Sequence, residues 1–155
     1  DRVHEPAIKQ LWPGVIYKSF DIDRTNRHDY HDFADIDRQF DLVTLTEVLE
    51  HVPPKTAIEL MAQCWKACRP GGHMIVSVPN VYTPGIQLEW THISALHYLD
   101  LLGMLSWAGF EVVDAARVYS AGRMHRFVHQ RLLHPVHRAI NVDYAQSVVA
   151  LGRKP

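Results

Sequence analysis

Apolar and polar positions alternate in two distinct rhythms along the chain, and the rhythms take turns. FDLVTLT (40–46) and HMIVSVPN (73–80) are unbroken runs of β-forming residues, the pattern of strands buried on both faces. Between them Pro53-Pro54 opens a helix over about 55–68, where Ala57, Ile58, Met61, Cys64, Trp65 and Cys68 recur at helical spacing. RPGG (69–72) ends that helix and turns the chain into the second strand. Residues 96–108 predict another helix, with Leu96, Leu99, Leu102, Met104 and Leu105 on its inner face. Gly109 stops it, and FEVVDAARVYS (110–120) reads as a third strand. A basic helix follows over roughly 122–139, broken or kinked at Pro135, and NVDYAQSVVAL (142–152) supplies a last strand. The N-terminal part is less regular. Residues 4–11 predict a short helix stopped by Pro13-Gly14, and VIYKSF (15–20) a strand ending on Asp21. The polar stretch after it predicts a loop with one short strand near Tyr30–Ala34. This alternation predicts an α/β domain: a mostly parallel sheet with helices on both faces.

Composition narrows the class more than it identifies it. At 155 residues and 47% hydrophobic content the chain can bury one sizeable core, so a single domain over 1–155 is expected. Sixteen basic and seventeen acidic side chains leave a formal charge of -1, which gives no general attraction to nucleic acid. No apolar run is long enough to span a bilayer, and the N-terminal DRVHEPAIKQLW lacks a signal peptide's apolar stretch. Cys64 and Cys68 sit four apart in one predicted helix, a poor geometry for a disulfide and too few ligands for zinc. A cytoplasmic setting is the expectation.

FDLVTLTEVLEHV (40–52), RPGGHMIVSVPN (69–80) and THI…AGFEVV (91–113) follow one another in order. Together they resemble successive motifs of class I S-adenosylmethionine (SAM)-dependent methyltransferases, over roughly residues 14–118. The nearest branch is that of the ubiquinone-pathway O-methyltransferases and related small-molecule methylases. The resemblance implies a Rossmann-like, doubly wound sheet, mostly parallel with an antiparallel last strand. The family's usual opening strand and acid-x-G-x-G turn have no counterpart here, since only Gly14 precedes Asp21. The first strand is therefore expected to lie outside the sequence, leaving the domain N-terminally incomplete.

SAM is the cofactor the resemblance implies. Asp21, which closes the family's second strand, would accept hydrogen bonds from the ribose hydroxyls, with Asp23 as the fallback and Ile22 against the adenine. Asp35 and Ile36 in FADID match the adenine-reading position, although Asp29, Asp32 and Asp37 crowd the same loop. Thr46 and Glu47 end the family's fourth strand beside the methionine moiety. Asn80, Tyr82, Glu89 and His92 would face the acceptor, and His92, with Glu47, is the candidate for acid–base work. EVLEH (47–51) carries two readings. In the one adopted there is no metal: Val48, Leu49 and Val52 pack inward while Glu50 and His51 tie the loop down. In the alternative, Glu47, Glu50, His51 and His92 ligate a divalent ion, as in small-RNA 2'-O-methyltransferases with a similar ExxEH segment. The segment GRMHRFVHQRLLHPVHR (122–138) reads either as a lid for an anionic acceptor or as a solvated helix face.

The function expected is SN2 methyl transfer to a small-molecule or glycan/lipid-linked acceptor, without nucleic acid or a membrane span. The rival from another class is a catalytically silent methyltransferase-like module that binds a partner. A nucleotide-dependent Rossmann dehydrogenase ranks third, because no GxGxxG is present.

Overall fold

The structure, a computed structural model, describes residues 4–83, 89–119, 122–140, 142 and 144–155. It divides into two compact units, one reaching Gln39 and one starting at Phe40.

The larger unit is built on a four-stranded sheet: β1 (Phe40–Thr46), β2 (Cys68–Pro79), β3 (Glu111–Val118) and β4 (Ser147–Arg153), in the order β1-β2-β4-β3. β1 runs parallel to β2, and β4 lies antiparallel between β2 and β3. Three strands thus share one direction and only the last opposes them, as the sequence predicts. Side chains alternate across the pleat, so Met74, Val76 and Val78 of β2 share a face with their β4 partners Gly152, Ala150 and Val148. That face carries the core. The helix α2 (Pro54–Ala67) lays Ala57, Met61, Cys64 and Ala67 against it, and α3 (Tyr98–Trp107) adds Leu101 and Leu105. Gly152 lets α3 approach: a Cβ there would come within 2.9 Å of the Leu105 side chain and 3.0 Å of Phe110.

Two details of this core differ from the sequence reading. Leu99 is exposed, because the inner stripe of α3 runs through Leu101 and Leu105. RPGG does not form a simple turn. β2 already starts at Cys68, opposite Phe40, and the register jumps between Phe40 and Leu42 so that His73 is the next residue paired. Gly71 takes φ +74° in this irregular stretch and donates its N–H to the Lys154 carbonyl at 2.9 Å.

Lys154 ties the end of the chain to the end of α2. Its ammonium is buried, donates to the carbonyls of Trp65 (2.7 Å) and Cys68 (2.8 Å), and stands 3.6 Å from the Trp65 ring centroid. A cation there neutralises carbonyls that no further helical turn could satisfy. Cys64 and Cys68 are both free thiols, and burial pushes Cys64 up to about 12.

The basic segment is not one helix. α4 (Arg123–Phe127) runs into a π-helical turn, Val128–Leu132, and a separate α5 (His134–Ala139) follows. The break falls at Leu133, and Pro135 sits in the first turn of α5, where its missing N–H costs nothing. The predicted kink therefore becomes a helix start.

The smaller unit begins with α1 (Glu5–Leu11) and contains no extended strand among its described residues. The strands predicted at 15–20 and near 30–34 reduce to a single parallel bridge, Phe20↔Tyr30, followed by a 3-10 turn at Phe33–Asp35. A ladder needs a neighbour along its length, and here the backbone finds one at a single position. Side chains take over: the Asp29 carboxylate accepts from Ser19 N and Oγ and from Lys18 Nζ, all at 3.0 Å.

Candidate active site

The carboxyl ends of β1, β2 and β3 lie along one edge of the sheet, since Thr46 pairs with Ser77 and both Pro79 and Val118 pair with Ser147. Ligands of open α/β sheets bind outside such ends. At this edge the chain leaves β1 through Glu47, the one described non-glycine residue with positive φ (52°). That conformation costs of order 1–3 kcal/mol and persists only when the surroundings enforce it. Here Ser77 enforces it: Glu47 N–H donates to the Ser77 carbonyl at 3.1 Å, and Ser77 Oγ donates to the Glu47 carboxylate at 2.6 Å.

The next turn, a 3-10 helix over Leu49–His51, buries Leu49 completely and leaves Glu50 2% exposed. Val52 is half-buried against the core, in keeping with the inward packing predicted for it, and Val48 is half-buried. A second segment is strapped onto this turn. The Glu50 carbonyl accepts from Ile93 N (2.9 Å) and Ser94 N (3.0 Å), Ser94 Oγ donates to the Val52 carbonyl (2.7 Å), and His51 Nδ1 lies 3.1 Å from the Thr91 carbonyl. The strap delivers His92, whose ring centroid is 4.9 Å from that of His51 and whose Nε2 is 3.4 Å from Glu89 Oε2. Glu50, His92, Val78, Pro79, Val81 and Leu96 help line a pocket of about 250 Å³.

Glu50 is the unusual group in that pocket. Neither carboxylate oxygen accepts a hydrogen bond among the described residues, and His51 Nε2 stands 3.7 Å away. Burial pushes its carboxyl above the usual range, with the Glu47 charge adding to the effect. With His51 Nδ1–H directed at a carbonyl, Nε2 is left with its lone pair toward the Glu50 carboxylate. Two acceptors face each other, so a proton or a cation belongs between them. One ligand atom from each of Glu50, His51 and His92 falls within 4.8 Å of the others.

Asn80 does not project freely. It is 5% exposed, donates to the Ala145 carbonyl at 3.1 Å and accepts from Tyr82 N at 3.3 Å, so its amide shapes the turn that follows β2. Tyr82 packs edge-on to His97, with centroids 5.2 Å apart. Glu89 is exposed and accepts from Thr91 Oγ1, while Thr46 is exposed at the strand end. A second pocket beside this turn, about 420 Å³, is lined by residues the sequence reading passed over, among them His97, Arg117, Tyr119 and Tyr144. The available signal was position: Tyr119 immediately follows the third strand, and Tyr144 just precedes the last.

The cofactor candidates Asp21, Ile22, Asp35 and Ile36 belong to the smaller unit. Asp21 Oδ1 accepts from Asp23 N at 2.9 Å, and its Oδ2 stands 3.7 Å from His28 Nε2 in a partly exposed position. Asp23, the fallback, is tied up by Thr25, whose hydroxyl and N–H hold its carboxyl below the usual range. Ile22 is 78% exposed, so its side chain is open to a flat apolar ligand. In the acidic loop, Asp29 holds Ser19, Asp32 caps the 3-10 turn through Ala34 N at 2.9 Å, and Asp37 takes Arg38 and the Tyr30 hydroxyl. Asp35 is exposed with no such side-chain bond among the described residues. Ile36 is half-buried after it.

Comparison with known proteins adds family to geometry. The profile of a methyltransferase domain family matches residues 4–137. A probable S-adenosylmethionine-dependent methyltransferase of Mycolicibacterium smegmatis is 33% identical over 87 residues, 54% of this chain and 33% of that protein. The chain thus spans about a third of that relative's length. Among solved structures, a SAM-dependent methyltransferase from Archaeoglobus fulgidus superposes with TM-score 0.73 at 15% identity, over 99% of this chain and 82% of the other. The N-methyltransferase NodS of Bradyrhizobium japonicum, solved with S-adenosyl-L-homocysteine, gives 0.56 at 14% identity, over 88% and 65%. At these identities the structures establish a shared Rossmann-like α/β fold, and the profile match over most of the sequence establishes descent: the chain belongs to the methyltransferase domain family.

Proposed function

We propose that the protein binds SAM and transfers its methyl group to a small-molecule or glycan/lipid-linked acceptor, in the manner of a class I methyltransferase. The observation that carries this reading is the carboxyl edge itself. In a methyltransferase-family chain, the strained Glu47 turn and the His92 strap meet at the strand ends where such sheets take their ligands. The cofactor candidates fit such a group: Asp21 and Asp35 offer accessible carboxylates for ribose hydroxyls and the adenine amine, and Ile22 and Ile36 lie beside them. When bound, the cofactor supplies an activated sulfonium methyl group. The work left to the chain is positioning, plus removal of a proton if the acceptor is a hydroxyl. His92, half-buried and oriented by Glu89, is suited to take that proton. Glu47, fixed by Ser77, holds a negative charge at the edge where the sulfonium would come to rest. A soluble protein of the cytoplasm fits this chemistry, and no helix among the described residues is long and apolar enough to cross a membrane.

Calorimetry of the full-length protein with SAM tests the reading. Micromolar binding is expected, and its absence would leave a methyltransferase-like binding module instead.

A second reading of the same pocket is favoured by the buried, unpartnered Glu50. A divalent cation between Glu50, His51 and His92 would satisfy both facing acceptors and hold an acceptor oxygen. Purified protein would then carry metal that Glu50→Ala removes. Methyl transfer indifferent to chelator and to that substitution would end this reading.

A further inference from the structure

Four tyrosines, two arginines and a cluster of histidines outside the Glu50–His92 pocket are not used by the mechanism above. They line the 420 Å³ pocket at the same edge of the sheet. Tyr82 enters from the turn after β2, Arg117 and Tyr119 from the end of β3, and Tyr144 from the approach to β4. The π-turn and α5 close the other side with His129, His137 and Arg138. None of the described residues lining it is acidic.

The aromatic groups are arranged in layers. The His129 and His137 rings stack at 5.1 Å and 18°, and Tyr144 leans on both at 4.2 and 4.9 Å. His97 has its tautomer fixed: Nδ1 accepts from Leu99 N at 3.1 Å, so Nε2 carries the hydrogen and is a donor. Two guanidiniums, imidazole donors and flat rings, with no carboxylate among the described lining residues, make a site for an oxyanion attached to a ring. Its volume suits one such ring and its substituents.

The two pockets adjoin. Val81 lines the first and Tyr82 the second, and likewise Leu96 the first and His97 the second. Two pairs of consecutive residues therefore form a common wall. His92 lines the first pocket, on the other side of that wall.

From this geometry we infer that the second pocket anchors the methyl acceptor, and that the acceptor is a small ring compound bearing a carboxylate or a phosphate monoester. This deepens the methyltransferase reading and rests on it for the word acceptor, while the anion site itself is testable alone.

The experiment titrates full-length protein with benzoate, phenyl phosphate and neutral benzyl alcohol, followed by NMR and calorimetry, with S-adenosyl-L-homocysteine as a separate titrant. At least one anion is expected to bind, and which of the two does identifies the group. Arg117→Gln and Arg138→Gln should each weaken it about tenfold and the pair roughly a hundredfold, whereas lysine at either position retains it within about threefold. S-adenosyl-L-homocysteine affinity should stay within about twofold in every variant. Equal binding of benzyl alcohol and the anions, no anion binding, or an undiminished double variant overturns the anchor. Loss of S-adenosyl-L-homocysteine binding by the unsubstituted protein instead overturns the methyltransferase reading and leaves the anion result standing.

Discussion

The acidic loop of the smaller unit and the carboxyl edge of the sheet both present carboxylates, but they hold them by opposite means. In the loop the partners are close in sequence: Asp23 with Thr25, Asp32 with Ala34, Asp37 with Arg38, and at the far end Asp29 with Ser19. At the edge they are remote: Glu47 meets Ser77, His51 meets Thr91, and Asn80 meets Ala145. A local device fixes a turn whether or not a core forms beneath it. A remote one exists only once strands have registered and helices have packed, so edge chemistry is bound to core stability.

The largest expected effect strikes that dependence. Met61→Ala leaves a cavity under the fully buried side of α2 and should cost about 3 kcal/mol, read from urea unfolding. Rotamer exchange at Glu47 and His92 should rise with it, and a stable edge on a weakened core would break the comparison.

Next comes the loop's chemistry. Asp21→Asn should weaken SAM binding about tenfold or more, because a charged acceptor of two hydrogen bonds becomes a neutral one. The melting temperature should hardly move, and unchanged affinity in calorimetry would remove Asp21 from the cofactor site.

A smaller effect belongs to Asp29. Its burial pushes the carboxyl up but is outweighed by the hydrogen bonds from Ser19 and Lys18, which hold it at about 2. A depressed acid contributes stability above its unfolded value near 3.8, and that contribution is lost as pH falls toward about 2. Discounted for its solvent exposure, Asp29→Asn should cost about 1 kcal/mol at pH 7. Amide exchange at Ser19 measures it.

Glu50 has the opposite sign. Its raised value means the folded protein keeps a proton that the unfolded chain has already released, so stability falls as pH rises above about 4.5. In chelator, Glu50→Gln should flatten that decline in thermal melts.

Much of this was legible in the residues. FDLVTLT and HMIVSVPN are legible as strands from their continuous β-branched and apolar runs, and the stripe from Ala57 to Cys64 specifies the helix between them. Burial on both faces holds for the carboxyl half of β2 but not for β1, where Leu42 is 40% exposed. The Glu47–His51 turn and His92 were legible as candidates from their motif. The strand at 15–20 was misread because VIYKSF has strand composition but finds one ladder partner, at Tyr30. Lys154 escaped notice because a lysine beside a chain end normally lies in water, and only the docking of β4 beside α2 buries it.

The sequence by itself determined the family, the order of strands and helices from residue 40 to residue 118, and which acids and histidines were available. Those follow from periodicity and motif, which are properties of neighbours along the chain. Tertiary structure decided which carboxylate lost its water, that Asn80 serves a turn, and that tyrosines from three strand ends share a pocket with Arg117 and Arg138. Burial and proximity between residues tens of positions apart arise only when strand register and helix packing are fixed, and those are set by the whole core at once.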